Sequence, residues 1–204
     1  MQNKPLFITG IGTGIGKTVI SAILTEKLKA DYWKPVQSGD LDDSDTLKVK
    51  SMISNTQTAF HPETYRLTQP FSPHKSAAID GISIEKDKFI IPQTENQLLI
   101  EGAGGLMVPL NDDFLMIDLI KQLDAEVILV SQNYLGSINH TLLSVAILKQ
   151  YNIPIKGILF NGKVDVDSES YILKYTGLKL LGHIPEYTSI DKKTIIEAGQ
   201  YISL

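Results

Sequence analysis

Four stretches of this chain are apolar with no alternation: PLFITG (5–10), NQLLIEGAGG (96–105), EVILVSQ (126–132) and IKGILFNG (155–162). A strand with one face in water alternates apolar and polar residues, whereas a strand covered on both faces does not. Between these runs, apolar residues recur three and four apart. Examples are Val19, Ile20, Ile23, Leu24 and Leu28 in KTVISAILTEKLK (17–29), with similar spacing in FLMIDLIKQL (114–123) and SINHTLLSVAILKQY (137–151). DYWKPV (31–36) reads as a short strand stopped by Pro35, and KLLGHIPE (179–186) as a last strand. DSDTLKVKSMI (43–53) reads as a helix capped by Ser44 or Asp43, and the helix from residue 137 as capped by Ser137. Residues 56–75, rich in Thr, Pro and His, read as an irregular connection. The alternation predicts an α/β fold, a mostly parallel sheet with helices on both faces. With no internal repeat or linker, residues 1–204 are expected to form a single domain.

Composition removes several classes of function. Nineteen basic residues against 23 acidic give a net charge of −4, with no long run of either sign, so neither nucleic acid nor an anionic membrane is the expected partner. No run approaches the ~20 apolar residues a membrane span requires. The apolar stretch at Leu6–Ile8 ends at glycine instead of continuing as a signal region, and a cytoplasmic location is expected. Without cysteine, the chain has no disulfide, no thiolate metal site and no thiol nucleophile. Its four histidines show no metal-ligand spacing.

The junction between the first strand and the first helix reads GIGTGIGKT, residues 10–18. A phosphate-binding loop is usually G-x-x-x-x-G-K-[ST]. Counting back five from Gly16 lands on Ile11, with Gly10 one residue too early and Gly12 one too late. The position nevertheless suits phosphate. Ligands in such sheets bind beyond the carboxyl ends of the strands, where free amides and a helix N-terminus attract anions. Lys17 supplies charge for the outer phosphates and Thr18 a hydroxyl for Mg²⁺. These features predict a sheet of the P-loop NTPase type.

Two further positions belong to the same edge. Lys34 precedes Pro35, which forces it into an extended conformation, so its side chain is expected to leave the strand end and meet Lys17 at one anionic centre. Taken alone, Lys34 reads more readily as a surface lysine beside a turn, and Ser38 as a local turn cap. Glu101 ends an apolar strand before a glycine turn and is placed to hold Mg²⁺; Asp45, in DLDDSD (40–45), offers a second carboxylate. That acidic cluster is not a calcium loop, because Asp45 stands where the sixth position needs glycine and Ser51 where the twelfth needs glutamate.

Taken in order, GIGTGIGKT, WKPVQSG, the Ser-Asp pair at 44–45, SPH at 72–74, EGAGGLMVPL and LGSINHTLLS resemble the dethiobiotin synthetases, ATP-dependent enzymes of biotin biosynthesis. The resemblance runs from about residue 6 to 186 and accounts for the loop, since that family's pattern is G-T-x-T-x-x-G-K-T. Ile11 departs from a common threonine, and Gly14 stands where some members carry an acid.

The resemblance implies closure of a cyclic urea on 7,8-diaminopelargonic acid, from CO₂ or bicarbonate, ATP and Mg²⁺. One amine becomes a carbamate, its oxygen takes the γ-phosphoryl group, and the second amine displaces phosphate. Lys34 and Lys17 are then the catalytic cations, and Thr18, Asp45 and Glu101 the metal ligands. Thr13, Lys34 and Ser38 would orient the diamine or carbamate. ATP would meet Gly14, Ile15, Gly16, Lys17, Thr18 and Val19 of the loop and helix start, together with Asp45, Glu101, Gly102, Ala103 and Gly104. Asn161 would recognise adenine, with Pro185, Glu186 and Tyr187 flanking it. Ser137, Ile138 and Asn139 would bind the substrate carboxylate from the neighbouring subunit, which implies a homodimer.

Three alternatives share parts of this pattern. A partitioning ATPase of the ParA type usually carries an additional lysine early in the loop, where this chain has Ile11 and Gly12. A non-catalytic nucleotide sensor does not require Lys34 and Ser38. An amidotransferase-type synthetase needs a cysteine nucleophile.

Overall fold

In a computed structural model describing residues 4–204, the elements run β1 (Leu6–Gly10), α1 (Lys17–Leu28), β2 (Asp31–Trp33), β3 (Val36–Ser38), α2 (Asp45–Met52), β4 (Phe60–His61), β5 (Tyr65–Leu67) and α3 (Pro73–Asp80). They continue as β6 (Leu98–Gly105), α4 (Met116–Gln122), β7 (Glu126–Gln132), α5 (Ser137–Gln150), β8 (Ile155–Asn161), α6 (Val166–Thr176), β9 (Leu180–Ile184) and α7 (Lys192–Ala198). Seven strands form one sheet in the order β4-β2-β6-β1-β7-β8-β9, and every pairing between them is parallel.

The unbroken apolar strands are explained by a core on each face. Within β1, Leu6 and Ile8 point to the side carrying α1, α2 and α7, while Phe7 points to the side carrying α3, α4, α5 and α6. β7 divides in the same way, Ile128 and Val130 one way and Val127 and Leu129 the other, all fully buried. A period of two through a doubly covered strand thus produces two cores, and each needs apolar side chains.

The structure differs from the sequence expectations in four places. DYWKPV is not one strand: β2 ends at Trp33, and after Pro35 the chain re-enters extended structure as β3, which pairs with β5 in a separate two-stranded sheet. Residues 56–75 contain β4, β5 and the start of α3; pieces of two or three residues are too short to show a period. α5 is capped by Gly136 at φ 103, not by Ser137, which lies inside the helix with its hydroxyl making no cap bond. α7 is a helix that the alternation does not mark. The cap of α2 is Ser44, whose oxygen accepts from the Leu47 N–H, and Asp43 plays no part in it. Among the described residues no helix is long and apolar enough to cross a membrane.

Candidate active site at the carboxyl ends of the strands

Beyond the carboxyl ends of β1, β6 and β2 lies a cavity of about 780 Å³. Its walls include Thr13, Gly14, Gly16, Lys17, Thr18, Lys34, Ser38, Asp45, Glu101, Ala103 and Gly104, so the greater part of the sequence-predicted site faces one space. The loop wraps the start of α1. Gly16 is the cap residue of that helix at φ 90, and a side chain there would run into the Asn161 carboxamide. Only glycine satisfies both the left-handed backbone and the close approach. Asn161 in turn donates to the Ile15 carbonyl at 3.0 Å, tying the end of β8 to the loop.

Charge is concentrated at the floor. Lys34 leaves the end of β2 with 4% of its surface exposed, and its Nζ lies 2.6 Å from Asp45 Oδ2 and 3.1 Å from Glu101 Oε1. It also donates to the Gly102 carbonyl at 3.3 Å. Thr18 Oγ1 lies 2.9 Å from Asp45 Oδ1 and 3.0 Å from Glu101 Oε1. Glu101, 1% exposed, is held from its other oxygen by the Tyr32 hydroxyl at 3.0 Å. Lys17 folds back to donate to the Gly12 carbonyl at 2.9 Å.

The two lysines respond to burial in opposite ways. Burial pulls Lys17 down to about 8; Glu101 and Asp45 resist the fall and the Lys34 charge adds to it. Burial acts on Lys34 too, but contact with Glu101 and Asp45 outweighs it and holds that ammonium above the usual lysine value. Asp45 shows the converse, burial tending to raise its carboxyl and Lys34 bringing it below the ordinary range. Burial first, and then the Glu101 charge, push the Tyr32 phenol well up, so it stays a donor. The Ser38 hydroxyl is buried at the cavity wall without a hydrogen-bond partner among the described residues. An unpaired buried hydroxyl costs about 1–3 kcal/mol, so its place at a wall suits a ligand contact.

Other expected residues lie elsewhere. The Ile15 and Val19 side chains pack into the core and not into the cavity wall. Ser137, Ile138 and Asn139 do not line the cleft. Ile138 borders a second cavity of about 620 Å³ with Tyr134, Leu135, Lys163 and Ser168. The Ser137 N–H is already bonded to the Tyr134 carbonyl, so free amides at this helix start are those of Ile138 and Asn139. Pro185, Glu186 and Tyr187 follow β9 and lie outside the cleft wall, Tyr187 packing on the core and Glu186 near Gly162.

Sequence reasoning missed Tyr32 and Gln37. The Gln37 amide donates to the Gly39 carbonyl at 2.9 Å and accepts from the Asp45 N–H at 3.2 Å, fixing the start of α2. For Tyr32 a signal existed, since it stands two positions before Lys34 in extended chain and so shares its side of the strand. Pro70, Phe71, Ser72 and Pro73 line the same cavity, as do Val36, Gln37, Asp40 and Val108, which gives Ser72 and Pro73 of the SPH stretch a place at the site.

The chain as a whole is similar to several known proteins. A family profile described as an AAA domain matches residues 4–194. The ATP-dependent dethiobiotin synthetase of Cytophaga hutchinsonii is 50% identical over 94% of this chain and 93% of its own length. That of Christiangramia forsetii is 50% identical over 97% of this chain and 95% of its own. Among solved structures, a ParA family ATPase from Chlorobium tepidum superposes with a TM-score of 0.59, covering 98% of this chain and 99% of its own, at 15% identity. That likeness extends to the fold and no further. By sequence over nearly its whole length, this chain belongs to the ATP-dependent dethiobiotin synthetase family and is an enzyme.

Proposed function

We propose that the cleft closes the urea ring of dethiobiotin on 7,8-diaminopelargonic acid, taking CO₂ and ATP and releasing ADP and phosphate. The observation that supports this most is the convergence on one floor of Lys34, Asp45, Glu101 and Thr18, below a phosphate loop and beside an unpaired Ser38 hydroxyl. A carbamate beside a triphosphate gathers several negative charges, so the work of the site is positioning and neutralisation. No side chain is needed as a nucleophile.

Lys17 reaches the outer phosphates by leaving the Gly12 carbonyl. Lys34, pinned by two carboxylates, keeps its charge and bridges the carbamate and the phosphoryl group in transfer. Ser38 and Thr13 orient the diamine or carbamate from the wall. The carbamate oxygen attacks the γ-phosphorus as ADP leaves. The second amine then attacks the carbonyl carbon, phosphate departs, and the amine proton is lost to solvent.

Mg²⁺ fits the donor set. Thr18, Asp45 and Glu101 offer oxygen alone, two of them carboxylates, and Mg²⁺ favours a few hard oxygens shared with phosphates. When bound, it would neutralise the β- and γ-oxygens. Asn161, held against the loop, would read adenine through its carboxamide, with Pro185, Glu186 and Tyr187 alongside. The start of α5, at Ser137, Ile138 and Asn139, would bind the substrate carboxylate across a homodimer, a role for which the exposed Leu135 and Leu143 offer apolar surface. Residues 1–204 would act as one synthetase domain, in the cytoplasm.

The test is ADP release with ATP and Mg²⁺, in the presence and absence of diaminopelargonate and bicarbonate. Release that depends on both and collapses in Lys34→Ala supports the reading. Release indifferent to the diamine and to Lys34 would assign the fold to a partitioning-type ATPase instead.

A further inference from the structure

The two oxygens of Glu101 have separate duties. Oε1 meets Thr18 and Lys34 on the cleft side, whereas Oε2 accepts from the Tyr32 hydroxyl at 3.0 Å in the interior. Tyr32 has no exposed surface, and its place is fixed twice: its backbone pairs with Leu99 of β6 and Phe60 of β4, and its ring packs on Phe60 at 5.8 Å. Leu99 and Glu101 lie two apart in β6 and therefore share a face, which is the face that Tyr32 shares by register. A buried carboxylate with one oxygen held this way cannot turn about its last torsion without leaving a phenol unpaired.

We propose that Tyr32 is a positioning residue for the divalent cation: its hydroxyl holds one Glu101 oxygen so that the carboxylate presents the other, and only that one, to the cleft. This rests on the reading of Thr18, Asp45 and Glu101 as cation ligands. Groups that orient a ligand from behind typically contribute 10–100-fold to metal affinity. Gln37 acts on Asp45 in a comparable position, but through the backbone N–H and not the carboxylate, so it sets the helix start and not the oxygen.

The experiment measures Mn²⁺ binding to the protein–ADP complex by the electron paramagnetic resonance of free Mn²⁺, for Tyr32→Phe, Phe60→Leu and Glu101→Gln. Tyr32→Phe keeps the ring and its packing and removes only the hydroxyl. The expected result is Mn²⁺ affinity lowered about tenfold, metal-free ADP affinity unchanged, and kcat at saturating Mg²⁺ within about twofold, with the loss appearing as a raised Mg²⁺ requirement. Phe60→Leu loosens the same ring without touching the hydroxyl; it should lower the metal-free melting temperature and leave Mn²⁺ affinity alone. If Phe60→Leu weakens Mn²⁺ binding as much as Tyr32→Phe, or Tyr32→Phe leaves it unchanged while Glu101→Gln weakens it, positioning by the hydroxyl is overturned. If Glu101→Gln itself binds Mn²⁺ as tightly as the parent protein, the assignment of the cation ligands fails instead.

Discussion

The cleft and the start of α5 occupy the same edge of the sheet, yet the chain finishes one and leaves the other open. In the cleft the buried charges find answers within the chain: Lys34 meets Asp45 and Glu101, and Lys17 meets the Gly12 carbonyl, while the Thr18 hydroxyl meets the same two carboxylates. At α5 the Ser137 N–H bonds to Tyr134 and the Tyr134 hydroxyl to His140 at 2.8 Å, but the Ile138 and Asn139 amides are left free and Leu135 is fully exposed. Buried charges cannot wait for a ligand, because an unpaired one costs too much to fold around. An exposed leucine can wait for a second surface. Chemistry is therefore preorganised in each chain, and the proposed dimer completes only substrate binding.

The largest effect should come from Lys34→Ala. Losing a preorganised charge partner typically removes ~3–4 kcal/mol of transition-state stabilisation, so turnover should fall by roughly two to three orders of magnitude. Two carboxylates, one wholly buried and the other about a quarter exposed, are left without their cation, and urea unfolding should show a loss of about 3 kcal/mol. A fully active or undiminished variant would mean the cleft is not organised by that pairing.

Lys17→Met sharpens the contrast between the lysines. Nucleotide affinity should fall on the order of a hundredfold, as a charge-assisted phosphate contact is lost, while stability holds or rises. The sign follows from the lowered value. Folded Lys17 titrates near 8 and the unfolded residue near 10.5, so its burial opposes folding below 8, and the penalty fades as pH rises through that window. ADP binding at about pH 8.5 should accordingly draw up to one proton from the buffer, measured by calorimetry in buffers of differing ionisation enthalpy, and Lys17→Met should abolish the uptake.

Leu135→Asp addresses the open region. Light scattering should show the proposed dimer shifted to monomer, with ring closure down about tenfold and ADP affinity unchanged. If mass and rate both hold, the dimer reading fails. The smallest effect is expected from Ser38→Ala, whose hydroxyl has no hydrogen-bond partner among the described residues. Stability should hold or rise, by about 1 kcal/mol as the unpaired hydroxyl is removed, while KM for the diamine rises about fivefold, the value of one hydrogen bond.

Much of this was legible in order of sequence distance. The doubly covered strands and the helices between them follow from periods of two and 3.6, which are local properties of β1, β7 and α1. Thr18 and Lys17 were legible because the loop positions them from residues at most eight apart in sequence. The short β3, β4 and β5 were not, because two or three residues carry no period and depend on each other for pairing. The cap at α5 was misread because Ser is a favoured cap by propensity, whereas the turn required a left-handed residue, which Gly136 supplies at φ 103.

The sequence by itself determined the parallel two-faced sheet, the phosphate loop and, by resemblance, the family, since each is written in spacing over a few residues or in ordered short motifs. Tertiary structure alone decided that Thr18 and Glu101, 83 positions apart, share a hydrogen bond, and that Lys34 rests between Asp45 and Glu101. It also decided that Tyr32 stands behind Glu101. Those contacts depend on strand order, β2 beside β6 beside β1, which no local period encodes. Long-range electrostatic pairing is settled only when the crossover places distant strand ends side by side.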